Sequence, residues 1–469
     1  MWQIIKNEWR FLSRSRALLG VSLGLAGILF LSVFLGHQQT QSQVAAQQEA
    51  KAHLRAQWEN IEGMNPHSAA HYGTYVFKPS SLLGSLDEGV NGVTGNVLRV
   101  EGHVQNEIVH SEASQMQAAS AFGKLKGSLL LQYIVPLLLI FLAFHAVSSE
   151  QQSGRLKLLV LQGASSTAII WGKTLTVWIY GLGLLLVTIG TYTLLYLQAF
   201  TTDMLNRSLL FFLTYALYYF VISGLTVFLS AYWQRATLAL TTMLGVWILW
   251  TIFVPSILMS AVERWHELPS RNSFQTAMRA DRAEGLDGHN PADERTKVLE
   301  EQTLAEYGVD SLSQLPINFD GLVMQADEEY GNQVWDKHFG NLRTVLERQK
   351  NSYQLAGIFN PFVSLQNASR GFAATDNLHH HHFLLQVEDY RRVFIKTLND
   401  EHAFGGSTTG DWGWEADNTF FKSVADFEYE PVRLSSVLPT YAPDVALLLL
   451  WVGLVNLLLV LASKKLRVI

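Results

Sequence analysis

The chain has 469 residues, of which 49% are hydrophobic and only 16% are charged, against roughly 25% charged residues in a soluble domain. A net charge of −6 without any basic block argues against nucleic-acid binding, and the lack of cysteine excludes disulfides, thiolate nucleophiles and cysteine–zinc sites. The apolar residues are gathered into uncharged segments of about 20 residues, which predicts a polytopic membrane protein.

Residues 1–16 predict an amphipathic helix lying in the membrane interface, in contact with lipid. Trp2, Ile5, Trp9 and Leu12 recur at helical spacing, and basic residues lie mostly on the other faces. A cleaved signal peptide is the alternative, because basic residues also precede an apolar run there. Two tryptophans in that region and the lack of a small-residue cleavage site favour the interfacial helix.

Six segments are long and apolar enough to cross a hydrocarbon core of about 30 Å. The predicted spans are residues 17–36, 128–148, 175–201, 208–233 and 236–261 (the last three making up region 175–261), and 445–463. Pro136 lies within the second span and predicts a kink there, of either mechanistic or merely structural value.

Two polar insertions separate these spans, at residues 37–127 and 262–441. The first predicts a helix that continues out of the membrane, followed by short strands and turns. The second predicts long helices, including 322–354, 378–398 and one opened by Pro291, with a loop at 405–418.

Lysine and arginine near the span ends predict the orientation, because positive charge is retained in the cytoplasm. The basic residues of 1–16, of segment 149–174 and of tail 464–469 all belong to one side. Both termini are therefore expected in the cytoplasm, with both insertions outside. The predicted fold class is an all-α polytopic membrane protein, with six transmembrane helices and a large, mainly helical external domain built from the two insertions.

Segment 149–174 is a short polar stretch between two spans, and we interpret it as a cytoplasmic coupling segment. Glu150 is followed by Gly154, Arg155 and Leu156, and Leu156, Leu158, Leu159 and Leu161 form an apolar ridge. By its physics alone this is either an ordinary amphipathic loop on the membrane surface or a ridge that docks into another protein.

The pattern Glu150-x-x-x-Gly154-x-Leu156-x-Leu158-Leu159, followed by Gly163, Ser165 and Gly172-Lys173, resembles the coupling segment of ABC-2-type transporter permeases. Four further stretches resemble the branch of that family with two long external insertions. These are residues 71–79 (HYGTYVFKP), 86–90 (LDEGV), 101–106 (EGHVQN) and 360–394.

The resemblance implies a non-catalytic permease subunit of the inner membrane that pairs with itself or with a sister permease. A separate, soluble ABC ATPase would bind ATP and Mg²⁺ and drive it, and the periplasmic domain could engage a protein partner. The ATPase-coupling positions that the resemblance implies are Glu150, Gly154, Arg155, Leu156, Leu159, Gly163 and Lys173. The implied function is export of a cargo, or mechanical movement of the periplasmic domain.

Four consecutive histidines, 379–382, raise the question of a metal site. On a helix His379 and His382 would share a face, and imidazole is a good ligand. A metal site generally needs three or four converging ligands, and few acids lie nearby, so helix packing or surface exposure is the alternative interpretation.

Other motifs point away from chemistry on this chain. Gly172-Lys173-Thr174 resembles the end of a phosphate-binding loop, but Thr167 occupies the position of its first glycine. His266-Glu267 lacks the second histidine of a zinc protease motif, and Ser223 has no identifiable base. We therefore expect a permease without a cofactor of its own, the alternative being a non-transporting scaffold or sensor whose external domain binds a protein or a metal.

Overall fold

The computed structural model describes residues 1–105, 126–233 and 235–466. Within these ranges six helices are long and apolar enough to cross a membrane, and the protein is an all-α membrane protein with very little sheet. The end of the first predicted insertion (106–125) and the last three residues of the tail lie outside the described residues.

The labelled helices, in chain order, are α1 (Trp2–Arg14), α2 (Arg16–Glu59), α3 (Pro66–Tyr72), α4 (Asn91–Thr94), α5 (Gly127–Gln152, with a turn at 144–147), α6 (Arg155–Leu161), α7 (Ser166–Leu195), α8 (Thr202–Tyr232), α9 (Ala236–Trp265), α10 (Arg271–Glu284), α11 (Ala292–Tyr307), α12 (Phe319–Leu355), α13 (Pro361–Phe372), α14 (Asn377–Phe404), α15 (Asn418–Ser423) and α16 (Leu434–Lys465). The strands are β1 (Gly63–Met64), β2 (Thr74–Phe77), β3 (Val97–Val100) and β4 (Ala416–Asp417).

Helix α8 lies at the centre of the bundle formed by α2, α5, α7, α8, α9 and α16. Of its most apolar stretch 72% is buried, against 17% for α9. Three of its tyrosines, Tyr215, Tyr218 and Tyr219, are fully buried. The outer helices keep broad apolar faces exposed, as expected of surfaces solvated by lipid.

Helix α2 has 44 residues, which at about 1.5 Å per residue gives roughly 66 Å. This length exceeds a hydrocarbon core of about 30 Å by a factor of two. The apolar first half therefore belongs to the bundle, and the Gln- and Ala-rich second half continues into the polar part of the protein. The predicted continuation of the first span as a helix is confirmed.

Two spans contain a π-turn next to a proline. Leu130–Ile134 precedes Pro136 in α5, and Leu249–Phe253 precedes Pro255 in α9. A proline lacks the backbone N–H of a regular helical turn, and the wider π-turn accommodates the missing hydrogen bond without ending the helix. The structure shows a local change of helix type at Pro136, and the predicted kink stays a prediction.

Two helices begin before the first residue of the corresponding predicted span, and for a common reason. Helix α7 begins at Ser166 rather than at 175 and ends at Leu195, so Lys173 belongs to the helix and not to the preceding segment. Helix α16 begins at Leu434 rather than at 445, and Asp444 lies within it. Both charged side chains are buried and hydrogen-bonded inside a helix, whereas each predicted span begins just after the charged residue.

The polar domain comprises residues 37–105 and 266–433 and packs at one end of the bundle. Its two parts interlock: β1 pairs antiparallel with β4, and the Arg55 side chain donates to the carbonyls of Lys422 and Val424. Trp58 lies in the same hydrophobic core as residues of α14. Neither insertion forms this core alone.

The predicted helices of the second insertion are confirmed as α11, α12 and α14, and the predicted strands of the first as β2 and β3. The predicted loop at 405–418 is wrong at its end. Ala416 and Asp417 form β4, because the backbone of β1 offers a pairing edge that no local pattern reveals.

Candidate functional site

The elbow, residues 148–165, turns the chain from α5 into α7 in two sharp steps. Gly154 has φ +71° at the start of α6, and Gly163 has φ +90° after its end. Only glycine adopts this left-handed region without a penalty. The Ser165 hydroxyl then accepts from the backbone N–H of Ala168 at 3.1 Å and caps α7. The two glycines therefore set the direction of α6.

The start of the elbow is fixed to the central helix of the bundle. The backbone N–H groups of Val147 and Ser148 donate to the hydroxyl of Ser230 on α8, at 3.0 and 3.1 Å. Ser230 is fully buried. These bonds satisfy backbone donors at the turn within α5, and they join the start of the elbow to α8.

A buried ion cluster joins three elements at the elbow end of the bundle. The Nζ of Lys173 on α7 lies 2.6 Å from Oε1 of Glu8 on α1 and 2.9 Å from Oε1 of Glu150 in the elbow. The Lys173 side chain is only 3% exposed. The other oxygen of Glu150, Oε2, is buried and has no hydrogen-bond partner among the described residues. A displacement of the elbow would thus act directly on α1 and α7.

The predicted ridge of the elbow divides into a buried and an exposed part. Leu156 is 2% exposed, whereas Leu158 and Leu161 are 58% and 74% exposed. Leu159 is half-buried, and Arg155 is exposed with its Nε 3.1 Å from the Ser153 hydroxyl. Leu156 therefore anchors α6, while Leu158 and Leu161 form the outward surface.

Helix α1 packs against the bundle through its isoleucines. Of the predicted apolar face, Ile5 is buried and Leu12 is half-buried, whereas Trp2 is exposed. The ring of Trp9 is tilted against that of Tyr180, with 6.4 Å between the ring centres. The approach to α7 depends on Gly172, where a Cβ atom would lie 2.8 Å from Cγ2 of Ile4. The helix is thus held on the same elements as the elbow.

The opposite end of the bundle carries a buried polar network that reaches the polar domain. The Asp87 carboxylate accepts from Gln132 of α5 at 3.2 Å and from Ser369 of α13 at 2.5 Å. The hydroxyl of Tyr215 on α8 lies 3.0 Å from the Gln132 side-chain amide and 2.9 Å from the Ser369 hydroxyl. Two spans and both insertions meet at these four side chains.

Helix α13 forms the rest of the contact between the bundle and the polar domain, and this contact is called the joint. Ten of its residues are buried, and it packs mainly on α16 and α8. A Cβ on Gly371 would clash with the ring of Tyr441 on α16, and Asn367 donates to the Asp444 carboxylate at 3.3 Å. Through α13, the polar domain is therefore packed into the bundle.

The side chains of the histidine run 379–382, the metal candidate of the sequence analysis, point in different directions. His379 is buried and its Nδ1 lies 2.6 Å from Asp376, whereas His382 contacts Gln386 at 2.8 Å. His380 lies 3.2 Å from the Lys78 ammonium, and burial together with this charge lowers the pKa of His380 to about 3. These histidines pack α14 against its neighbours.

Sequence reasoning missed Glu8 and Ser230 at the elbow end. Glu8 stands 165 positions before Lys173, and no periodicity links two such distant residues. Ser230 is one of several small polar residues in α8, and nothing in its local sequence marks it as an anchor.

Two family models match parts of the chain. A domain of unknown function (DUF3526) matches residues 271–431, which belong to the polar domain, and a protein of unknown function (DUF2705) matches residues 104–287, which include the elbow. Each covers less than half of the chain, and neither description states an activity. No curated protein and no solved structure matches the chain.

Proposed function

We propose that the chain is the permease subunit of an ABC-2-type, ATP-driven membrane machine. A separate ABC ATPase would bind ATP and Mg²⁺ and dock on the elbow, and the chain would pair in the membrane with itself or with a sister permease. The elbow and both termini would face the cytoplasm, and the polar domain would lie in the periplasm. The resemblance of residues 150–173 to a coupling segment is the starting point.

The observation that carries this proposal is the combination of an exposed leucine pair with a buried ion cluster in one short segment. Leu158 and Leu161 present apolar surface outward. On the inner side, Glu150 reaches Lys173. A partner that moves α6 by its leucines would move the end of α5 and, through Lys173, both α1 and α7. This is the mechanical arrangement that a coupling segment requires.

The joint at the other end supports transmission of the movement to the polar domain. The elbow continues directly from α5 and is hydrogen-bonded to α8 through Ser230. These two spans also carry Gln132 and Tyr215, which belong to the Asp87 network. Packed and hydrogen-bonded elements of this kind transmit discrete shifts. Output as export of a cargo or as movement of the periplasmic domain is compatible with this path.

The test is co-purification of the tagged chain from its native membranes in mild detergent, followed by measurement of vanadate-sensitive ATP hydrolysis. We expect an ABC ATPase to accompany the wild-type chain, and the double variant Leu158→Glu, Leu161→Glu to lose it. Two leucines that are buried on docking contribute about 3 kcal/mol, which is roughly a hundredfold in affinity.

The control is Leu268→Glu, which places one glutamate at an exposed leucine position of the polar domain. It should retain the ATPase. A wild-type chain that carries no ATPase would instead favour the alternative function, a membrane scaffold or sensor. Retention of the ATPase by the double variant would refute the elbow as the docking site.

A further inference from the structure

Three imidazoles from two separate stretches of the first insertion converge on the surface of the polar domain. His67 and His71 stand one turn apart on α3, and their Nε2 atoms are 3.1 Å apart. The ring of His103 lies 5.5 and 5.2 Å from the rings of His67 and His71, centre to centre. One ring nitrogen from each of the three lies within 4.8 Å of the others.

The helix that carries two of these histidines is fixed by its N-cap. The Asn65 side chain accepts from the backbone N–H of His67 at 2.9 Å and donates to the carbonyls of Trp412 and Trp414, at 3.1 and 3.2 Å. Arg99 donates to the carbonyl of His71 at 2.9 Å. The two imidazoles therefore stand on a short but well-anchored helix.

The third histidine is oriented by a buried carboxylate. Oε1 of Glu328 accepts from the backbone N–H of His103 at 2.5 Å and contacts its ring Nδ1 at 2.9 Å. Glu328 is 3% exposed and is held by Arg391 at 2.8 Å. A carboxylate on one ring nitrogen is the arrangement that orients a metal-binding histidine, since it leaves Nε2 to bind the ion.

His103 adopts a left-handed backbone conformation, with φ +63°. A residue with a Cβ is strained in this region. The Glu328 contacts and a bond from Arg282 to the His103 carbonyl at 3.1 Å hold it there. The strained conformation thus occurs at His103, whose ring faces the histidines of α3.

The Nε2 atoms of His67 and His71 face each other at 3.1 Å, so both can bind to one ion between them. The Nδ1 atom of His67 is buried without a partner among the described residues.

We infer that His67, His71 and His103 bind one divalent transition-metal ion, and that Zn²⁺ is the ion that fits them best. Imidazole is a preferred zinc ligand, and three histidines with an open fourth position form a recurrent zinc set. Two nitrogens bound at about 2.0–2.1 Å to a tetrahedral ion lie about 3.3 Å apart, close to the observed separation of His67 and His71. The side chain of His71 is exposed, which leaves a path for the ion.

The experiment uses the full-length protein in detergent, stripped of metal with a chelator and then titrated with ZnCl₂. We expect one Zn²⁺ per chain by calorimetry and elemental analysis, and a visible absorption typical of a tetrahedral site when Co²⁺ replaces Zn²⁺. His71→Ala should weaken Zn²⁺ binding by more than about 100-fold, since even loss of an outer partner costs about 10- to 100-fold.

The control is His382→Ala, which removes an imidazole from the histidine run of α14 and should leave binding unchanged. Because His71 is exposed, its loss opens no core, and equal melting temperatures of the metal-free proteins will establish that both variants fold. Absence of stoichiometric Zn²⁺ in the wild type would overturn the site. Unchanged affinity in His71→Ala, or loss of binding in His382→Ala, would overturn it as well.

Discussion

At the scale of single residues, Lys173 is the side chain on which the elbow end depends most. Its ammonium group balances two carboxylates, Glu8 and Glu150, whose side chains are 27% and 16% exposed. Breaking a fully buried pair by removing one partner costs about 3–5 kcal/mol, and the partial exposure of the two acids reduces this cost. The interaction therefore contributes to the stability of the fold, in addition to the transmission role proposed for it.

We predict that Lys173→Met lowers the free energy of unfolding by about 2 kcal/mol, because it leaves two carboxylates facing each other in a poorly hydrated space. Thermal unfolding in detergent measures this. Lys157→Met, at an exposed position of the same elbow, should change the stability by less than about 0.5 kcal/mol.

A further variant separates charge from packing at this position. Adding Glu8→Gln and Glu150→Gln to Lys173→Met removes the uncompensated charges and should recover most of the lost stability. If the Lys173→Met protein and the wild type had the same melting temperature, the ion cluster would contribute nothing to the stability of the fold.

At the scale of elements, the elbow works as a short helix between two left-handed glycines. A Cβ at Gly154 would meet no atom within 4 Å, so a substitution there changes the backbone and nothing else. Gly154→Ala should therefore destabilise α6 by about 1 kcal/mol through its positive φ alone. Faster amide hydrogen exchange across residues 155–161 measures the effect.

The matched control for Gly154 is Gly183, an exposed glycine inside α7 that also has no neighbour within 4 Å. Since its backbone is helical, Gly183→Ala should be neutral or stabilise by up to about 1 kcal/mol. Slower exchange of α6 in Gly154→Ala than in the wild type would contradict the proposed role of the left-handed turn.

The existence and order of the spans follow from hydropathy alone, but their ends do not. Two predicted spans begin just after Lys173 and Asp444, whereas the structure retains both residues inside helices because partners distant in sequence satisfy them. The side-chain amide of Gln354, near the C-terminal end of α12, donates to the Asp444 carboxylate at 2.6 Å. Such pairings are tertiary, and no local pattern encodes them.

The histidines show the same division between local and tertiary information. The spacing of His67 and His71 already places both rings on one helix face, a signal that the sequence carries. His103 joins them only because α3 packs beside the turn after β3 and because Glu328 orients its ring. The more conspicuous run at 379–382 is dispersed around α14, where successive residues point in different directions.

At the scale of the whole molecule, the polar domain is a product of both insertions and of the membrane helices together. The elbow, α1 and the end of α16 lie at one end of the bundle, where Thr167 and Ser463 are 3.5 Å apart. At the other end, Arg207 of α8 donates to the Val432 carbonyl at 2.7 Å. An elbow in the cytoplasm thus requires a polar domain outside, and the proposed function needs this arrangement.

The chain has no cysteine. Single introduced cysteines therefore test the orientation of the protein in the membrane without background labelling of native thiols. We predict that Asn351→Cys, at an exposed position on α12, reacts with a membrane-impermeant maleimide from the outer face of the inner membrane in spheroplasts. Ser153→Cys, exposed in the elbow, should react only after the membrane is permeabilised. Because both sites are exposed in the folded protein, differences in reactivity report the side of the membrane rather than burial. The reverse pattern would place the polar domain with the cytoplasm and remove the elbow from the reach of any ATPase.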